Sequence, residues 1–213
     1  MLDLAALAER AQARLAAKHR AREQALTASR EATRFSANAI RAAHRGEQDT
    51  ATALLERARE ALDAAYAACR DQPEVEHAGF LADAAKEYAE ASTTLAIITD
   101  QPLPGPEDLG ITDAAYLNGL AETVGELRRH LLDVLRAGHL ARCEALLEAM
   151  DDIYAVLVEM DFPDGVTGGL RRSTDVARSI IERTRGDLTT ALVQARLREA
   201  LEAHRRDVLE RGG

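Results

Sequence analysis

Between residues 2 and 45 the chain contains neither proline nor glycine, and this run constrains the fold more than any other feature. With no helix breaker it admits one long α-helix of about 65 Å, at about 1.5 Å per residue. Leu4, Leu7, Ala11, Leu15, Leu26, Phe35 and Ile40 give that helix an apolar stripe, and Gly46 with the polar residues after it ends it in a turn. The remainder continues the pattern. Ala, Leu, Glu and Arg dominate, aromatic residues make up only 3%, and β-branched runs are scarce, which together specify an all-α protein. At 213 residues the chain fits one domain, residues 1–213, able to bury a core.

Further helices are expected over residues 50–70, from Pro73 to about Thr99, from Thr112 as N-cap to Gly138, from Leu140 to Met160, and from Thr167 to the end. The Pro/Gly-rich stretch 100–111 reads as a loop joining two helix groups, and 161–165 as a turn. Gly186-Asp187 marks a bend or break in the last helix, whose core face is expected to hold Val176, Ile180, Ile181, Leu188, Leu192, Leu197 and Leu201. No run of 18 apolar residues is present, so no membrane span is expected. The amphipathic N-terminus is unlike a signal peptide, and the expected compartment is the cytoplasm. Cys69 and Cys143 lack metal-ligand spacing and read as buried thiols, with a disulfide left open. The six histidines, His77 among them, form no ligand cluster in the sequence.

Leu117, Leu120, Val124, Leu127 and Leu131 form the apolar stripe of the helix that starts at Thr112. A neighbouring stripe holds Asn118, Gly119, Glu122, Gly125, Glu126 and Arg129, with the two glutamates one turn apart. Each interior glycine costs a helix about 1 kcal/mol against alanine, so a close approach by another helix or a ligand is expected there. On the preceding helix Glu87 and Glu90 border the apolar face, among small residues. A carboxylate in that position needs a partner or a cation. One interpretation is a solvated acidic surface. The other is a metal site built from Glu87, Glu90, Glu122 and Glu126 on two antiparallel helices, whose all-oxygen donor set suits Mg²⁺ or Mn²⁺. The pairs Glu56/Glu60 and Glu144/Glu148 share similar spacing without the small-residue setting and read as surface.

Charge is distributed unevenly. Residues 10–45 hold nine Lys/Arg against Glu23 and Glu31, a net +7 that leaves −16 for the rest of a chain whose total is −9. Such a helix either lays a phosphate-binding stripe on an acidic body or pairs its arginines with neighbouring acids.

Four blocks carry a family resemblance: SREATRFSANAIRAAHRG (29–46), KEYAEA (86–91), YLNGLAETVGELRR (116–129) and FPDGVTGGLRRSTDVARSIIERTRGDLTTAL (162–192). Together they resemble the translin/TRAX family, the last block most of all its prokaryotic members. The resemblance implies a six- or seven-helix all-α bundle that closes into a homo-oligomer, here of six to eight subunits, and binds single-stranded RNA and DNA. Its TRAX branch implies a Mg²⁺-dependent endoribonuclease. The TRAX pattern, a Glu-x-x-Glu followed by Tyr-x-x-Gly-x-x-Asp-x-x-x-Glu, falls on Glu87, Glu90, Glu122 and Glu126, with Glu122 where TRAX has Asp. Translin-type chains lack the helix-three pair and the acid at the Glu122 position, so the acids side with TRAX. Arg129 matches the basic residue after the family's Gly-Glu-Leu, and His44-Arg45 match the end of its first helix. Nucleic-acid contacts are therefore expected from Arg34, Arg41, His44, Arg45 and Arg129. The competing expectation is a binding shell without catalysis.

Overall fold

The computed structural model describes residues 3–76 and 78–211; His77 lies outside the described residues. Those residues form six long helices, with three of a single turn between them. In chain order they are α1 (Leu4–His44), α2 (Gln48–Cys69), α3 (Pro73–Glu76), α4 (Gly79–Ile98), α5 (Pro106–Leu109), α6 (Asp113–Arg136), α7 (Leu140–Glu159), α8 (Asp164–Thr167) and α9 (Leu170–Arg211). The fold is all-α, as composition required.

The chain divides into two compact units, Met1–Thr123 with Phe162–Leu170, and Val124–Asp161 with Arg171–Gly213. In the first, α1 packs on α2 and α4. Its seam is built from small residues: Ala25, Ala32, Ala39 and Ala42 of α1, Ala51, Ala58 and Ala65 of α2, and Ala84, Ala85 and Ala89 of α4 are buried. Side chains this short let helix axes approach closely. The expected leucine stripe at the start of α1 is not part of this core. Leu4, Leu7 and Leu15 are exposed, while Phe35 and Ile40 are buried as anticipated. In the second unit Leu127 and Leu131 of α6, Leu146, Met150 and Leu157 of α7, and Ala177, Ile181 and Leu188 of α9 form the interior. Arg128 ties α6 to α9 by donating to Thr184 Oγ1 at 2.9 Å and Asp187 Oδ2 at 2.8 Å.

Several boundaries differ from expectation. The helix expected over 73–99 is split into α3 and α4. The loop after Ile98 includes α5, whose start is fixed by a 2.9 Å bond from the Gly105 amide to Asp108 Oδ2. Thr112 caps α6 as expected, accepting from the Ala115 amide at 3.3 Å. Gly186 does not break the last helix: α9 runs through it. One glycine costs a helix about 1 kcal/mol, too little to stop 42 residues of otherwise good helix formers. Beyond Leu192, α9 leaves the core, so Leu197 and Leu201 are exposed, and Val176 is exposed as well. Both cysteines are buried and free.

Candidate metal centre

Gly119 organises the site. A Cβ built on it would sit 2.6 Å from the Lys86 carbonyl oxygen, 2.7 Å from Ala89 Cβ and 3.0 Å from the Glu90 amide nitrogen. Only a residue without a side chain lets the α4 backbone lie against α6 here, which accounts for the first of the two interior glycines. Gly125 differs, since its added Cβ would meet only Ile180 Cδ1 at 3.9 Å, an ordinary contact. One turn past Gly119, Thr123 Oγ1 and Thr93 Oγ1 share a hydrogen bond of 2.6 Å, both side chains fully buried. Each hydroxyl also lies within reach of a carbonyl of its own helix, Thr93 of Ala89 at 2.8 Å and Thr123 of Gly119 at 3.0 Å, so one hydroxyl donates to the other while that one donates to its carbonyl. These contacts advance in the same sense along both helices, so the antiparallel pairing expected from sequence is not what joins them. The segment between Ile98 and Asp113, with α5 inside it, is long enough to return the chain before α6 begins. Asn118 anchors the start of α6 by donating to the Ala114 and Thr167 carbonyls at 2.8 and 2.7 Å.

This crossing brings Glu87, Glu90 and Glu122 together. Each is half-buried, and one carboxylate oxygen from each lies within 4.8 Å of the others. It is the acidic group among the described residues that can hold a cation, and it contains no histidine or cysteine. Three oxygens at that spacing, partly withdrawn from water, fit a hard divalent cation. Burial pushes the Glu87 carboxyl above the usual carboxylate range; Lys86 draws it back, and the charges of Glu122 and Asp83 add to the rise. Lys86, which the spacing of the acids alone does not reveal, donates from Nζ to Glu122 Oε1 at 2.8 Å. Burial weakens the protonated ammonium, but the Glu122 hydrogen bond and the charges of Glu122, Glu87 and Asp83 outweigh it and raise its pKa.

Glu126 stands four residues after Glu122 on α6, in the second unit, with Arg129 Nη1 at 3.7 Å from its carboxylate. Glu56, Glu60, Glu144 and Glu148 are exposed, as expected of surface acids.

The basic residues of α1 are disposed as follows. Arg34 is exposed, 3.5 Å from Glu31, and lies over the Phe35 ring at 5.2 Å. Arg57 of α2 stacks on the same ring at 4.2 Å, a basic neighbour that sequence spacing could not reveal. Arg41 is exposed and donates to Asn38 Oδ1 at 2.6 Å. His44 is half-buried, and Arg45 makes a two-pronged pair with Glu47, both contacts 2.7 Å. The acids paired with Arg34 and Arg45, Glu31 and Glu47, are near neighbours in the chain.

An all-α fold in which two touching helices gather carboxylates defines a helical protein with an acidic cluster of a kind that could hold a hard cation. No protein-family model matches the chain. It is similar to an uncharacterized protein of Methanocaldococcus jannaschii, 32% identical over 189 residues, covering 88% of this chain and 84% of that protein. Its structure is similar to that of AfC3PO solved in complex with duplex RNA, with a TM-score of 0.82 and 39% identity over 89% of this chain and 97% of that one. AfC3PO alone gives a TM-score of 0.81 at the same identity, covering 89% of this chain and 98% of that one. Apo-NeC3PO, 20% identical with a TM-score of 0.77 over 90% and 98% of the two chains, shares the fold. The chain belongs to the translin/TRAX family as a prokaryotic, TRAX-like member.

Proposed function

We propose that the protein is a Mg²⁺-dependent endoribonuclease acting on single-stranded RNA, with Mn²⁺ as an alternative ion. The observation that carries this is the convergence of Glu87, Glu90 and Glu122 at the Gly119 crossing. Glu126, by its place one turn further on α6, is the fourth carboxylate of the proposed set. What a divalent cation supplies in such a site is activation of water and stabilisation of the charge that builds on a phosphate. Glu87, Glu90, Glu122 and Glu126 would hold the ion, and one of them would take the proton of the attacking water as the new P–O bond forms and the bond to the leaving oxygen breaks. Arg129 would neutralise the scissile phosphate. Arg34, Arg41, His44 and Arg45 guide the strand by phosphate contacts.

Support for RNA as the polymer comes from a relative, 39% identical, solved with duplex RNA. Support for self-assembly comes from apolar side chains left exposed along α9, among them Val193, Leu197 and Leu201, and the proposed six to eight subunits follow the family resemblance. The second reading is an RNA-binding shell that does not cut. The Lys86–Glu122 pair favours it, because a lysine already balances part of the acidic charge. Cleavage of single-stranded RNA, duplex RNA and single-stranded DNA, each with Mg²⁺, with Mn²⁺ and with chelator, separates the two. Metal-dependent cuts inside single-stranded RNA are expected; binding without cleavage would leave the shell, and chelator-resistant cleavage would remove the metal site.

A further inference from the structure

We infer that Lys86 is a tethered counter-cation of the glutamate cluster, holding Glu122 while no divalent ion is bound and releasing it for such an ion to enter; this rests on the metal reading above. The Lys86 ammonium lies 2.8 Å from Glu122 Oε1, with the two side chains 24% and 38% exposed. It therefore sits at the partly dry edge of the cluster rather than on an open surface, where ion pairs contribute little. Its backbone is fixed by the packing of its carbonyl oxygen against Gly119. The stem is free to move by contrast. Four methylenes and partial exposure let the ammonium swing out to water while Cα stays in place.

Competition follows from charge and reach. The groups facing the ammonium are Glu122 of α6 and, on its own helix, Glu87 and Asp83. A lysine donates three N–H bonds and accepts none, so it satisfies a carboxylate but is never a metal ligand. Mg²⁺ binds oxygens at about 2.0–2.1 Å and tolerates little distortion of its shell. An ion shared by Glu87, Glu90 and Glu122 would thus lie within a few ångströms of the ammonium if the lysine stayed. Two cations that close repel strongly in a partly desolvated site, so occupancy by one disfavours the other. The glutamate at position 122 is what makes the hold possible here: its carboxylate reaches Lys86 across the helix contact.

The test uses the full-length oligomer, metal-free and titrated with Mn²⁺ by calorimetry, in Lys86→Met and Lys86→Arg variants. Lys86→Met keeps the unbranched shape of the side chain, one atom shorter, and removes the charge. It should bind Mn²⁺ about tenfold more tightly, the size of change that one nearby unit charge imposes on a titrating site. Its metal-free form should melt below wild type, and its gain in Tm on adding Mn²⁺ should exceed that of wild type. Lys86→Arg, with the charge retained, should stay close to wild type in both. Unchanged or weaker Mn²⁺ binding by Lys86→Met overturns the inference, provided Glu87→Gln and Glu122→Gln reduce binding. If those two glutamine variants leave Mn²⁺ binding intact, the metal reading falls and the inference with it. Tighter binding by Lys86→Met without RNA cleavage by any form supports the inference while removing the nuclease.

Discussion

Gly119 and Gly125 look alike in the sequence, six residues apart in one helix, and they have opposite reasons to be there. At Gly119 any Cβ would strike the α4 backbone, which cannot move aside as a flexible side chain can. Gly119→Ala should therefore destabilise the protein by about 1–3 kcal/mol, the range for overpacked sites, and weaken Mn²⁺ binding by forcing Glu87 and Glu90 away from Glu122. Gly125→Ala meets an ordinary contact and should be neutral or stabilising by up to about 1 kcal/mol. Urea unfolding of the two variants decides this. For Glu87 the sign of the pH effect is fixed by its raised pKa. Its share of stability is complete below its ordinary value of 4.5 and is lost as pH rises through the higher folded-state value. Metal-free Glu87→Gln should accordingly outlast wild type in urea at neutral pH, and the gap should close as pH falls toward that ordinary value. With Mg²⁺ and RNA the same variant, like Glu90→Gln and Glu126→Gln, should bind and not cut. Glu122→Asp, shortened to the TRAX-type acid, should keep or raise activity, while Glu56→Gln and Glu144→Gln cut as wild type.

At the scale of the helices, what could be foreseen depended on whether a local rule decided the outcome. Thr112 was legible as an N-cap because capping is local, and the Glu87/Glu90 and Glu122 positions were legible because small residues flank them. Lys86 was not legible, since the ion pair that matters joins residues 36 apart and depends on the sense in which α4 crosses α6. The start of α1 shows a related limit: an apolar stripe shows that a helix has a face, not that the same chain covers it. In α1 the basic face is the functional claim. Replacing Arg34, Arg41 and Arg45 together by alanine should weaken RNA binding alike for different sequences. It should also flatten the dependence of affinity on salt, because fewer counterions are released. Fluorescence anisotropy across a salt series measures both. If neither changes, the local pairs with Glu31 and Glu47 are all these arginines do.

For the whole molecule, the chain presents more apolar surface than its own fold consumes. Leu4, Leu7 and Leu15 of α1, and Val193, Leu197, Leu201, Val208 and Leu209 of α9, are each more than half exposed. If copies of the chain cover these faces, Leu197→Glu with Leu201→Glu should lower the mass seen by light scattering from six to eight subunits toward smaller species, with helical content retained. A wild-type protein that is monomeric at micromolar concentration would refute the assembly.

The Gly119 contact also supplies a rule for sorting kin. Spacing between the carboxylates of α4 and α6 is set where one main chain rests on another, with no side chain interposed whose rotamer could be adjusted. Retention of the four acids is then a poor guide to competence by itself. A relative that keeps all four but carries alanine or anything larger at the position of Gly119 should be unable to bring its counterparts of Glu87 and Glu90 to that of Glu122, and should resemble the Glu→Gln variants in its chemistry. One that keeps the glycine and lacks a cation at the position of Lys86 should fill with divalent ions at lower concentration. Divergence at those two positions, neither of them acidic, would separate cutters from binders within the lineage more sharply than a count of glutamates.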